Sequence, residues 1–342
     1  MYKKRILCVL LVLIVTLSLF TGCSDSKTAQ NKDGSVDLVI GANYSATAFS
    51  SKVIDKFIEL VDERSNGRIT VKYYPAGQLG SDREVFESVQ FGDYAMAFMT
   101  PAAQASFIPA VKIFDLGASA TNFDAAVKTL QSGEFRDCLG QEYEKAGVKL
   151  LTIFPTGYRE LATNKEIRCF EDIKGLKIRT MENSYQMKFW SEMGANPTPL
   201  PTAEVYISLQ QKLVDANENP LDTLLSEKTY EQVKYIVLTH HILFTNTLTI
   251  NQEIWDNLSS EDQSILQECV NEAVEWGVEN SKVNLAEAQE TLEEEGKEII
   301  EFSQEDLDKM REAAQPCYDS LREEIGSELV DLWFKELENN TN

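Results

Sequence analysis

Pro199-Leu200-Pro201-Thr202-Ala203-Glu204-Val205-Tyr206-Ile207-Ser208-Leu209-Gln210-Gln211-Lys212-Leu213-Val214-Asp215-Ala216-Asn217-Glu218-Asn219-Pro220 is the stretch around which the rest of the chain falls into place. It opens with a proline-rich approach, continues as a short amphipathic helix and ends in a polar corner from Asp215 to Pro220. Pro220 disfavours the helical region for the residue before it, so Asn219 is expected on an extended segment. Taken alone, this is a polar turn with no assigned task.

Working toward the N-terminus, the pattern is strand–helix–strand–helix–strand. Val36 to Gly41 is a short apolar run, and Val53, Ile54, Phe57, Ile58 and Val61 recur at helical spacing. Ile69 to Tyr74 reads as a second strand. Ser81-Asp82-Arg83-Glu84 is a capping box opening a helix, and Tyr94 to Met99 is a third strand. Asn122 caps a further helix, another runs from Glu134 to Ala146, and Val148 to Phe154 is a strand. This is the signature of an α/β lobe with much parallel sheet. Pro155 and Gly157 punctuate the pattern and suggest a crossing to a second lobe. That lobe contains Tyr158 to Thr163, a helical turn at Glu171 to Gly175, a strand from Leu176 to Thr180 and a helix from Asn183 to Met193. It then includes the opening stretch, and a strand from Ile242 to Ile250 crosses back. Leu266, Val270, Ala273, Gly277, Ser281, Leu285, Ala288 and Leu292 keep one face over many turns, giving one long helix expected to span both lobes. Small residues at Ala273, Gly277 and Ser281 favour close packing on a neighbour over a coiled-coil seam. A short strand at Glu298 to Phe302 and two helices close the chain, with Pro316 kinking or splitting the first.

The expected division is lobe I at 36–155 with part of 247–342 returning to it, lobe II at 156–246, a bracing helix at 260–295, and a terminal strand with helices at 296–342. Ahead of these, Lys3, Lys4 and Arg5 followed by an apolar run to Phe20 form a secretory leader at 1–22. Thr21-Gly22-Cys23 is similar to a lipobox, which makes Cys23 the expected lipid attachment point, and 23–35 is a polar tether. The expected address is therefore extracytoplasmic, anchored to the bacterial cell membrane through lipid.

The formal charge is −23, and losing three leader cations takes it to −26, which argues against nucleic-acid partners. Cys138, Cys169, Cys269 and Cys317 are widely spaced without a C-x-x-C, so neither a zinc site nor a redox motif is indicated, and disulfide pairing stays open. His240 and His241 are the only histidines. No nucleophile elbow, phosphate loop or dinucleotide fingerprint occurs. The expectation is a non-enzyme with no cofactor and no metal. Two arginines stand out in the second lobe, Arg159 at the start of an apolar run and Arg179 at the end of a strand. A guanidinium on a rigid element can grip a carboxylate with two parallel hydrogen bonds. In so acidic a chain, each could equally pair with one of its own carboxylates.

Five segments in order carry a resemblance. They are Pro75-Ala76-Gly77-Gln78-Leu79-Gly80-Ser81-Asp82-Arg83-Glu84, then Gly157-Tyr158-Arg159, Asp172-Ile173-Lys174-Gly175-Leu176-Lys177-Ile178-Arg179, Glu204-Val205-Tyr206 with Leu209-Gln210-Gln211, and Glu218-Asn219-Pro220. Together the chain resembles the solute receptors of tripartite ATP-independent periplasmic (TRAP) transporters, the DctP family, over about 36–292. The resemblance implies a two-lobe periplasmic-binding-protein-like α/β fold with mixed sheets and a long lobe-spanning helix. It implies a monomeric receptor that closes over a small organic acid and delivers it to small and large membrane permease subunits. A sensor lipoprotein of the same fold, feeding a signalling receptor, is the alternative.

By the same resemblance Arg179 captures the carboxylate, with Arg159 and Asn219 in support, and Asn43, Asp82, Thr100, Thr202, Asn246 and His241 are further pocket candidates. Departures from the family pattern fall at Lys212 and Ala216, where glycines are common, at Asn217, and at Thr202, where many members carry an aromatic residue. Thr100 and Ala103 replace the acid and base of sialic acid receptors, which disfavours that ligand and leaves C4-dicarboxylates, keto acids and sugar acids open.

Overall fold

The structure is a computed structural model that describes residues 31, 34–131 and 133–341. The leader, Cys23 and nearly all of the tether lie outside the described residues. The backbone of the fold is one mixed sheet of nine strands: β1 (Val36–Gly41), β2 (Ile69–Tyr74), β3 (Met96–Met99), β4 (Val148–Thr163), β5 (Lys177–Thr180), β6 (Asn196–Pro199), β7 (Ala216–Asn219), β8 (Tyr235–Asn251) and β9 (Glu298–Glu301). Their order is β2-β1-β3-β8-β4-β7-β5-β6, with β9 beside β8. The parallel sets β2-β1-β3 and β7-β5-β6 sit at opposite ends. The long antiparallel pair β4 and β8 runs through both and joins the two lobes into one ladder.

Pro155 and Gly157 thus mark the crossing without breaking the strand. They flank a register shift against β8, where an extra residue relieves the ladder of the N–H that proline lacks. Gly157 has a second reason to be glycine. A Cβ there would lie 2.7 Å from a methyl of Leu285 on the long helix.

That helix, Ser260–Glu294, starts at a Ser259 cap that accepts from the Asp262 amide. Leu266, Cys269, Val270, Ala273 and Val274 pack into the first lobe's core with helix Phe49–Ser65, while Ala288 and Leu292 pack into the second lobe's core. One rigid rod of about 50 Å therefore braces both lobes. Gly277 lets it approach helix Phe49–Ser65, since a Cβ would meet Val53 at 2.8 Å. The opposite face of the sheet carries a third core shared by both lobes, including Phe86, Phe135, Trp190, Phe189 and Trp333.

The polar corner is the main departure from the sequence expectation. Ala216–Asn219 is an interior strand, buried at every position, antiparallel to β4 and parallel to β5. Its side chains hide strand periodicity because three of the four are polar. The chain closes with three helices rather than two, Gln304–Ala313, Gln315–Ile325 and Ser327–Thr341, because Pro316 starts a new helix. Cys138, Cys169, Cys269 and Cys317 are all free thiols. Among the described residues no helix is long and apolar enough to cross a membrane.

Candidate functional site

Both parallel strand sets aim their carboxyl ends at one cleft, which is where open α/β sheets place ligands. From the first lobe come Asn43 and Tyr44 after β1, Asp82 at the start of helix Asp82–Phe91, and Thr100 after β3. The second lobe contributes Arg179 on β5, Met181 beyond it, Thr202 at the start of helix Thr202–Gln210, Asn219 at the end of β7, and Thr223 and Glu227 just after. The crossing strands add Arg159 and Phe244. This inner chamber has a volume of about 30 Å³. It shares Asn43, Asp82, Arg179, Met181 and Thr202 with an outer chamber of about 420 Å³. A larger groove of about 650 Å³ lies elsewhere, along Arg136, Gln141 and Gln267, and shares no residue with the arginine chamber. Arg136 there is half-buried and already donates to the Leu150 carbonyl at 3.0 Å.

The two arginines differ in kind. Arg159 is buried and bound to Glu218: Nε donates to Oε2, and Nη2 donates at 2.8 Å to each of Glu218 Oε1, the Glu218 carbonyl and Asn219 Oδ1. Its guanidinium also lies over the Phe244 ring, 5.5 Å from the centroid. Burial alone would lower the Arg159 pKa, but Glu218 outweighs it and raises it. Burial acts against Glu218 as well, yet Arg159 and the bond from His241 hold its carboxyl at about 2.

Arg179 is equally buried and has no carboxylate partner among the described residues. Nε and Nη2 both donate to the Leu200 carbonyl, at 2.9 and 2.6 Å. Burial pulls its pKa down to about 10, only partly offset by Glu218. Beside it, helix Thr202–Gln210 begins at Pro201 with no side-chain cap, and Pro201, Thr202 and Ala203 line the outer chamber. A desolvated guanidinium next to an uncapped helix start is a seat for an anion.

Asn219 follows from this arrangement. A guanidinium can only donate, so the Asn219 atom facing Arg159 must be Oδ1. Nδ2 makes no hydrogen bond to the described residues and is left to donate into the chamber. Asn43 donates to the Gly80 carbonyl at 3.2 Å and to Asp82 Oδ1 at 3.1 Å, which ties the two first-lobe candidates together. Asp82 is pushed up to about 6 by burial, against the pull of Asn43 and Arg179.

The structure brings Asn43, Asp82, Thr100, Arg159, Arg179, Thr202 and Asn219 together around one chamber. It places two expected candidates outside it. His241 lies behind the arginine pair, with Nε2 3.2 Å from Glu218 and its ring stacked on Phe189. Asn246 is buried between the crossing strands, donating to Thr156. Both belong to β8, where side-chain direction depends on bulges that sequence does not reveal. The largest bulge sets four residues, 238–241, against Glu160 alone. Glu160 closes it by accepting the Thr239 and His240 amides at 2.7 and 2.8 Å. Bulges next to sites re-aim neighbouring side chains, and here the neighbour is Arg159.

Tyr44, Met181, Thr223, Glu227 and Phe244 also line the chamber and were not anticipated. Tyr44 is adjacent to Asn43, a usable clue. Glu227 is one acid among 55 acidic residues and gave no local signal.

Comparison with known proteins agrees with the fold. A family model described as DctP, bacterial extracellular solute-binding protein, family 7, matches residues 40–324. The sialic acid-binding periplasmic protein SiaP of Vibrio cholerae is 29% identical over 302 residues, spanning 88% of this chain and 93% of that protein. The sugar acid binding protein DctPAm of Advenella mimigardefordensis, solved with galactonate, superposes with a TM-score of 0.85 at 27% identity, covering 90% of this chain and 99% of that one. A TRAP periplasmic solute binding protein of Desulfovibrio salexigens, solved with orotic acid, gives 0.85 at 28% identity over 89% and 99%.

Proposed function

Since this chain belongs to the DctP family of bacterial extracellular solute-binding proteins, we propose that Arg179 and the start of helix Thr202–Gln210 seat the carboxylate of its organic-acid ligand. The protein is the extracytoplasmic receptor of a TRAP transporter, a transport protein and not an enzyme, and it works with membrane permease subunits. The observation that carries the site is the buried Arg179, which forms no ion pair with the described residues. A carboxylate there accepts two charge-assisted hydrogen bonds, each contributing about 1.5–3 kcal/mol. Asn219 Nδ2 adds a third donor, and Arg159, neutralised by Glu218, shapes the wall.

Closure buries the ligand as the lobes turn about the β4–β8 crossing, with the Ser260–Glu294 helix as the brace, and shifts the population to the closed form. Delivery to the permease follows from that form. Cys23 carries the lipid that holds this monomeric receptor at the membrane, and mass analysis of the membrane-extracted protein tests this: Cys23→Ala should lose the acyl mass and release the protein. The sensor alternative has no observation of its own in support.

The test of the site is calorimetry on wild type and Arg179→Ala with the best acid from a thermal-shift panel. The variant should bind at least about 100-fold more weakly, the equivalent of two lost charge-assisted bonds at the low end. Affinity within a few-fold of wild type would remove Arg179 from the site.

A further inference from the structure

We infer that the ligand is a zwitterion, a small monocarboxylate that also carries a cationic ammonium or amidinium group, and that Glu227 with Asp82 receives that cation. The inference rests on the carboxylate seat proposed above and deepens it. Its basis is the charge balance of the chamber. Arg159 and Glu218 cancel. That leaves Arg179 against two carboxylates, Asp82 and Glu227, both lining the inner chamber. Neither forms an ion pair with the described residues. Asp82 accepts one bond, from Asn43. Glu227 Oε2 is buried with no hydrogen-bond partner.

The other charges near Glu227 are Arg179, Arg159, Asp222 and Asp82. Asp222 does not line the chamber and is drawn toward backbone amides, including that of Phe49. A ligand carboxylate on Arg179 therefore leaves the chamber with two surplus negative charges, and a dicarboxylate would leave three. A buried charge without a partner is among the most costly arrangements a protein can hold. A cation on the ligand cuts the surplus to a single charge, shared by Asp82 and Glu227, and gives the idle Glu227 oxygen its missing donor. Burial raises Glu227 to about 7, with Arg179 pulling the other way, and raises Asp82 to about 6, as expected of carboxylates waiting for a partner. A neutral hydroxyl can donate to the idle oxygen but leaves both surplus charges in place, which favours proton uptake, whereas a cation favours proton release.

The experiment is thermal shift followed by calorimetry at pH 7 on a matched panel. Linear acids of three to six carbons and five-membered-ring carboxylates are compared, each with the distal group as ammonium or amidinium, hydroxyl, or carboxylate. Cationic members should bind at least tenfold tighter than their hydroxyl and dicarboxylate counterparts. Glu227→Gln should weaken the cationic members at least tenfold and erase that preference, with the ligand-free melting point checking that the variant folds. Repeating the titration of the tightest binder in buffers of different ionisation heat should show net proton release. The inference is overturned if hydroxy acids or dicarboxylates bind best, or if binding takes protons up; in both cases the Arg179 seat stands. If no carboxylate of any class binds, both this inference and the seat fall together.

Discussion

Replacing each arginine of the chamber by methionine should move stability in opposite directions. Arg179 gives up water and forms no ion pair with the described residues; burial lowers its pKa from the ordinary arginine range to about 10. At about 1.36 kcal/mol per unit, holding the charge costs the fold about 3 kcal/mol. Arg179→Met removes that cost, and loses the two bonds to the Leu200 carbonyl, about 1–3 kcal/mol. The ligand-free variant should therefore be as stable as wild type or more stable by up to about 2 kcal/mol, while losing carboxylate binding. Arg159→Met strands Glu218 as a buried charge and should cost about 3–5 kcal/mol. Removing both partners, Arg159→Met with Glu218→Leu, should recover much of that loss. Urea denaturation of the ligand-free proteins measures all three, with about 2–4 °C expected per kcal/mol in melting scans. A loss of 3 kcal/mol or more in Arg179→Met would refute the reasoning, because it would make Arg179 a structural charge like Arg159.

Three further outcomes are expected. Lys212 is exposed and sits at φ 57°, a left-handed conformation that favours glycine, so Lys212→Gly should stabilise by about 1 kcal/mol in denaturant titrations, and a loss would show that the turn is unstrained. Burial raises Asp82 and Asp222 to about 6 and Asp115 and Glu227 to about 7, so the folded protein holds these protons more tightly than the unfolded chain. Their contribution is present below about pH 4 and is lost as pH rises through 6 to 7; the ligand-free melting point should fall by several degrees between pH 5.5 and 8, and less so in Glu227→Gln. Gly277→Val should cost about 3 kcal/mol or more, since its branched side chain meets Val53 where a Cβ already lies at 2.8 Å; a neutral result would mean the two helices can part freely.

Much of this molecule was legible in its residues because the signals are local. The Ser81 capping box, the Asn122 cap and the small-residue face of the long helix act over four residues or so, and each formed as expected. The five ordered motifs identified the family and, through it, the two-lobe fold and the transport role. Arginines on strand ends were visible as candidates for the same reason: a strand fixes where its side chains begin.

What each arginine does was decided only by folding. In sequence, Arg159 and Arg179 carried the same description, and the same choice between an internal acid and a ligand. Glu218 lies 59 positions from Arg159 and reaches it because β7 inserts beside β4, a placement that three polar residues in four concealed. That pairing consumes one guanidinium and leaves the other, and it turns the opening stretch from a polar corner into the strand that sets both Glu218 and Asn219. The direction of His241 and Asn246 away from the chamber depends on bulges in β8, and the importance of Glu227 on a buried oxygen that no donor among the described residues reaches. Caps and periodicity are written between neighbours along the chain; charge balance in a cleft is written between residues that meet only in three dimensions.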